Sequence, residues 1–227
     1  MRFVVPAAVL LSVLLLAARP AASQPVSGHA VEPGAASFRA EILPIDRDLR
    51  QRMTGVSWHR GCPVPLSDLR LLKLRIWGFD GRPHGGRLVV HRSAAAGFVR
   101  VFRTLYRHRY AIRRMRLVDA YGADDHRSMN ADNTSAFNCR EVAGRPGVWS
   151  QHAYGKAIDL NPVENPYVSG NHVSPAKGRP FAKRSPRRKG MVSAGGRVAR
   201  LFRSIGWEWG GSWSGARDYQ HFSATGT

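Results

Sequence analysis

Residues 69–91 read LRLLKLRIWGFDGRPHGGRLVVH, and their pattern decides the fold. Leu69 to Phe79 is an apolar and β-branched run, Asp80-Gly81 and Gly85-Gly86 are turn formers, and Arg87 to His91 is a second apolar run. Two such runs around a glycine-bearing connection make an antiparallel hairpin. Working outward, Ser93 stands where a helix cap is expected, and Phe98, Val101, Phe102 and Leu105 then recur on one helical face. Arg116 to Ala120 reads as a further strand and the polar Gly122–Ser135 stretch as a surface loop. A second helix is expected over Gly196–Ile205, with Val198, Leu201, Phe202 and Ile205 inward. Short strands are expected at Trp207–Trp209 and Tyr219–Ala224. The implied class is α+β, a small antiparallel sheet with helices packed on one side.

The chain has 227 residues and opens with Arg2, an apolar run from Phe3 to Ala18, and the small residues Ala21-Ala22-Ser23. That is the form of a secretory signal peptide over residues 1–23, with an uncleaved membrane anchor as the alternative. Residues 24–50 are rich in Ala, Pro, Gly and Ser and read as a flexible leader, which leaves 51–227 as one folded domain. The expected location is outside the membrane, secreted or in the cell envelope. The chain has two cysteines, Cys62 and Cys139. In an oxidising compartment they are expected to pair, the alternative being two buried thiols, and neither sits in a C-x-x-C pair that would suggest thiolate zinc ligation.

The formal net charge is +20. Nucleic acid is the first suspicion for such a surface, but no helix-turn-helix, RNP-like stretch or finger spacing is present, so no nucleic-acid partner is expected. The densest basic run, Lys177–Lys189, contains Pro180 and Pro186 and therefore reads as a loop. Anionic polymers of an envelope are its candidate counterions, and a purely solubilising face is the alternative.

The chemistry concentrates near the C-terminus. Ser150-Gln-His152-Ala-Tyr-Gly155-Lys-Ala157-Ile-Asp159 is followed by Asp218-Tyr-Gln-His221. Two imidazoles and a carboxylate match three protein ligands of a catalytic zinc ion, and a second carboxylate is left to act as a base. Gly155 marks a tight reversal between His152 and the strand that carries Asp159. Asp218 is expected on the last strand with His221, on another pleat face or displaced by a bulge. Glu208, between Trp207 and Trp209, is the rival base, and His84 and His91 are the other histidines that could approach.

The spacing S-x-H-x-x-G-x-A-x-D followed by acidic-x-x-His resembles the zinc D-alanyl-D-alanine carboxypeptidases and related peptidoglycan peptidases, the VanY-like M15 family. It is most similar to the subgroup with aspartate for glutamate in the second motif, which includes endolysins that cut the L-alanyl-D-glutamate bond. The resemblance spans about Trp58 to Phe222 and implies the fold shared with Hedgehog signalling domains. It also implies His152, Asp159 and His221 as zinc ligands and Asp218 as general base. By the same resemblance Arg140, in Asn133–Arg140, assists the substrate carbonyl or carboxylate, and Ser135 contacts the peptide, with a loop cap as the alternative for that serine. The substrate implied is a peptidoglycan stem peptide, handled by a monomer.

Overall fold

The computed structural model describes residues 1–3 and 37–226, and its main compact unit runs from residue 36 to the C-terminus. Beyond residue 3 the expected signal peptide, and the expected leader up to residue 36, lie outside the described residues. From Ala40 onward the leader reading is corrected. Residues Ala40–Pro44 form strand β1, paired antiparallel with the hairpin, and Arg47–Met53 form helix α1, capped by the Asp46 side chain on Leu49 N–H. The Ala/Pro-rich composition hid a strand that takes its stability from its partner and not from its own pattern.

The hairpin is as expected: β2 (Leu69–Trp77) and β3 (Pro83–His91) pair in one unbroken register from Leu69 opposite His91 to Trp77 opposite Pro83. The sheet order is β1-β2-β3. Successive side chains alternate between faces, so β2 feeds two cores. Leu72, Leu74 and Ile76 join Leu88 and Val90 in the larger one, and Leu69 and Leu71 join Val89 in the smaller. Helix α2 (Arg92–Arg107) covers the first face with Phe98, Val101, Phe102 and Leu105, all nearly inaccessible. The short α1 closes the other with Leu49 and Met53. The helix cap is His91, whose Nδ1 accepts from Ser93 N–H at 3.2 Å, and not Ser93 itself.

Two further expectations are corrected. Val118–Tyr121 is a single 3-10 turn and no strand forms over Arg116–Ala120. The backbone of Arg116 is instead satisfied by a side chain: its N–H donates to Asn133 Oδ1 and its carbonyl accepts from Asn133 Nδ2. The segment Gly122–Ser135 is not a surface loop throughout. It contains helix α3 (Asp125–Asn130), capped by Asp124 on Arg127 N–H, and then descends into the protein, with Asp132 through Ser135 all buried.

A hairpin of β4 (Glu141–Val142) and β5 (Arg145–Trp149) leads to β6 (Ala157–Asp159), and β7 (Tyr167–Ser169) pairs with β8 (His172–Ser174). Helix α4 (Arg197–Arg203) places Phe202 in the large core. It is followed by β9 (Glu208–Trp209), β10 (Arg217–Asp218) and β11 (His221–Ser223). Strand β11 is the centre of a second antiparallel sheet, β6-β11-β9. That sheet is locked to the core where the rings of Phe222 and Phe202 stack at 4.1 Å between centroids. The architecture is α+β with small antiparallel sheets, and among the described residues no helix is long and apolar enough to cross a membrane.

The basic run Lys177–Lys189 begins in a 3-10 turn, Ala176–Phe181, and is partly structural. Arg184 donates to the carbonyls of Glu164 and Val192 and to Asn165 Oδ1, while Lys189 Nζ reaches the Phe79 carbonyl at 2.7 Å.

Candidate metal centre

The motif around His152 is one turn of 3-10 helix, Gln151–Tyr154, closed at both ends by its own sequence. Ser150 is the cap, its Oγ accepting from His152 N–H. Gly155 ends the turn in the left-handed region with φ +64°, where a Cβ would stand 2.5 Å from the backbone nitrogen of His91. Its carbonyl accepts from that same His91 N–H at 2.9 Å, tying the turn to the end of β3. The serine and the glycine of the motif therefore hold the histidine, and neither needs a chemical role.

Three strand-like segments then meet. His221 of β11 lies opposite Asp159 of β6, and Asp159 exchanges both backbone hydrogen bonds with Ser135 on its other side. The side chains of His152, Asp159 and His221 are all buried and converge. His152 Nε2 lies 3.3 Å from Asp159 Oδ2, His221 Nδ1 lies 3.2 Å from Asp159 Oδ1, and the two ring nitrogens are 3.3 Å apart. On the far side of its ring, His152 Nδ1 is 2.5 Å from the Ala136 carbonyl. A carbonyl can only accept, so Nδ1 carries a proton, which leaves Nε2 as the nitrogen that a metal would take. That is the outer hydrogen bond that fixes the tautomer of a metal-bound histidine.

Burial on its own would raise the Asp159 carboxyl, but the charge and hydrogen bond of His152, and then of His221, outweigh it and hold the group well below the ordinary carboxylate range. Two imidazoles and one carboxylate, with no lysine or arginine among them, form a donor set that would suit zinc once both rings have given up their extra proton.

Asp218 is not on the strand that carries His221. It ends β10, opposite Tyr167 of β7, and Tyr219 and Gln220 carry the chain across to β11. Its carboxyl is pushed up to about 6, first by burial and then by the charge of Asp159, against the opposing pull of His221, Gln220 and His152. Its Oδ1 is buried with no protein partner. Asp218 thus feels the charge of Asp159, His221 and His152 and keeps one buried oxygen without a hydrogen-bond partner.

Other expected residues fall at varying distance from this cluster. Ser135 is built in through its backbone, as above. Arg140 is two residues beyond Asn138, whose N–H donates to the His152 carbonyl, and Arg140's own carbonyl accepts from Ser150 N–H. Its guanidinium pairs with Asp125 of α3 at 2.8 Å and reaches the Glu141 carbonyl, so the partners that hold it are not members of the triad. Cys62 and Cys139 are joined by a disulfide across 77 residues of chain, anchoring the segment before Arg140. His84 pairs with Asp80 and His91 caps α2, and neither enters the cluster. The Glu208 side chain is exposed.

Several neighbours had no signal in the sequence. The Ala136 carbonyl acts through its backbone, which no residue identity announces. The indole of Trp213 lies 5.6 Å from the His221 ring and donates to the Gly226 carbonyl. Gln220, buried beside Asp218, and Asp125, the partner of Arg140, are ordinary polar residues until the chain is folded.

No curated protein and no solved structure matches the chain. Residues 143–224 match the model of a family described as D-alanyl-D-alanine carboxypeptidase, an M15 peptidase family. His152, Asp159, Asp218 and His221 lie within the matched residues, whereas Ser135 and Arg140 precede them. Over that segment, which holds the whole buried triad, the chain is similar to the D-alanyl-D-alanine carboxypeptidases.

Proposed function

We propose that the protein is a zinc-dependent peptidase of peptidoglycan stem peptides, of the D-alanyl-D-alanine carboxypeptidase type, acting outside the cell membrane. The observation that carries this reading is the buried convergence of His152 Nε2, His221 Nδ1 and the Asp159 carboxylate, with Asp218 beside it. A zinc ion held by those three side chains would lower the pKa of a water and polarise the scissile carbonyl. Asp218 takes a proton from the attacking water and returns it to the departing amine nitrogen, a task suited to a carboxyl poised near 6. Asp159 stays ionised throughout because both imidazoles favour its charge. Arg140 supplies a guanidinium fork for a substrate carboxylate or carbonyl once its hold on Asp125 is shared, and Ser135 lines the peptide. The strongly basic surface suits a protein working among anionic envelope polymers.

Two other readings keep the same site. One is an L-alanyl-D-glutamate endopeptidase with identical chemistry, and the other a zinc-containing cell-wall binding module without turnover. The partnerless oxygen of Asp218 favours catalysis over the binding module, since a structural zinc needs no free base. Digestion of purified muropeptides with and without a chelator tests the proposal. Release of D-alanine supports the carboxypeptidase, and cleavage after L-alanine the endopeptidase. No product from zinc-loaded protein defeats both.

A further inference from the structure

Among the described residues, a second place where metal-binding side chains meet is the disulfide. His59, Cys62 and Cys139 offer an imidazole nitrogen and two sulfurs, all within 4.8 Å of one another. His59 Nδ1 lies 2.8 Å from the Arg60 carbonyl, which can only accept, so Nδ1 carries the proton. Nε2 is left with its lone pair and stands 3.6 Å from Cys139 Sγ. This is the same outer hydrogen bond that orients His152 in the triad. His59, Arg60, Gly61 and Cys62 form a tight turn, with Gly61 at φ +96° and Cys62 N–H donating to the His59 carbonyl. His59 N–H in turn donates to Cys62 Sγ at 3.1 Å, a bond that favours a thiolate at that position. Cys139 is held from its own side, its N–H donating to the Ser57 carbonyl. A tetrahedral ion with sulfur and imidazole ligands sets those atoms about 3.5 Å apart, which the imidazole already satisfies toward Cys139.

We propose that His59, Cys62 and Cys139 form a second, redox-gated metal site, which takes a thiophilic divalent cation such as zinc or cobalt when the disulfide is reduced. A dithiol reductant forms its own cyclic disulfide and leaves two thiols at Cys62 and Cys139. The cation displaces their two protons and binds both sulfurs and His59 Nε2, with water at the fourth position. In both redox states the loop around Cys62 stays tied to the segment that leads into Arg140. This site is independent of the peptidase proposal, because its ligands are shared with none of the triad.

Cobalt provides the test, because a thiolate-bound cobalt ion has an intense near-ultraviolet sulfur-to-metal absorption that nitrogen and oxygen ligands do not give. The full chain is titrated with cobalt as purified, and again after reduction by a phosphine, which is oxidised with oxygen from water while both sulfurs gain protons. The sulfur band is expected only in the reduced protein, and it should be complete by two equivalents of cobalt, one for the triad and one for the sulfur site. It should be lost in the double variant Cys62→Ser/Cys139→Ser, and the cobalt affinity read from it should fall at least about tenfold in His59→Ala, which can still form the disulfide. A reduced wild type without the sulfur band overturns the proposal, as does His59→Ala with unchanged cobalt affinity. If circular dichroism shows that reduction unfolds the chain, the readout becomes the cobalt midpoint of refolding. Equal midpoints for wild type and His59→Ala then overturn it, and a shift of about tenfold or more sustains it.

Discussion

His221 of β11 stands directly opposite Asp159 of β6, its Nδ1 3.2 Å from Oδ1, so two of the three candidate ligands are fixed by strand register alone. A slip of one residue would turn one of them to the opposite face. The candidate metal centre is therefore as rigid as the sheet that carries it. Asp159→Asn keeps the shape and removes the charge that both imidazoles share. Zinc content measured after dialysis should fall from one equivalent to near zero, while the circular dichroism spectrum persists.

Asp218→Asn should separate binding from turnover. Zinc stoichiometry should remain at one equivalent, because Asp218 is outside the triad, while kcat falls by about two to four orders of magnitude, the range expected for a lost general base. In the wild type, activity should rise with pH as Asp218 ionises. The carboxyl stands at about 6 without metal, and a bound cation favours its charged form, so the acid limb should lie at or below about 6. A limb well above that value, or full activity in Asp218→Asn, would move the base elsewhere.

Gly155→Ala adds a Cβ where φ is +64° and where the His91 backbone nitrogen would be 2.5 Å away. The turn that holds His152 and the end of β3 must then separate. The expected result is a loss of about 2 kcal/mol or more in chemical denaturation, together with weakened zinc affinity. Alanine at Gly147, where φ is also positive but nothing lies within 4 Å, serves as the control and should cost less.

Glu164 gives a stability test away from the centre. It is buried, and its carboxyl is pushed up to about 8, first by burial and then by the hydrogen bond and charge of Asp132. The Arg113 guanidinium at 3.4 Å opposes this, but it is nearly half exposed and does not prevail. A proton on Glu164 also gives that carboxyl a donor, while its Oε2 otherwise has no partner. The folded chain thus keeps a proton that the unfolded chain releases above 4.5. This contribution to stability is complete below that value and is lost as pH rises through about 8. Denaturation midpoints followed from pH 5 to pH 9 should show that decline in wild type and a flatter profile in Glu164→Gln.

What could be read from the sequence was what depends on side-chain identity and period. The hairpin at Leu69–His91 and the inward face of α2 followed from spacing, and the grouping of His152, Asp159 and His221 followed from their donor types and the family resemblance. The errors came where side chains replace backbone pairing. Asn133 satisfies Arg116 at both its N–H and its carbonyl, so an apparent strand needs no neighbour. Strand β1 is the converse, a weak local pattern made regular by five paired positions on β2. Helix α3 did carry a signal, Asp124 three residues before Arg127, but it is short and polar and lacks the apolar stripe that identified α2. The Ala136 carbonyl and the Asp125 partner of Arg140 depend on tertiary approach and left no trace in composition.

The most direct measurement is zinc add-back. Protein stripped by a chelator is titrated with zinc while D-alanine release from a stem pentapeptide ending in D-alanyl-D-alanine is followed by mass. The account predicts no release without zinc, a linear rise, a break at one equivalent, and no recovery in Asp159→Asn. Stoichiometric zinc binding without cleavage of any stem-peptide bond, or cleavage that survives complete removal of zinc, would contradict it.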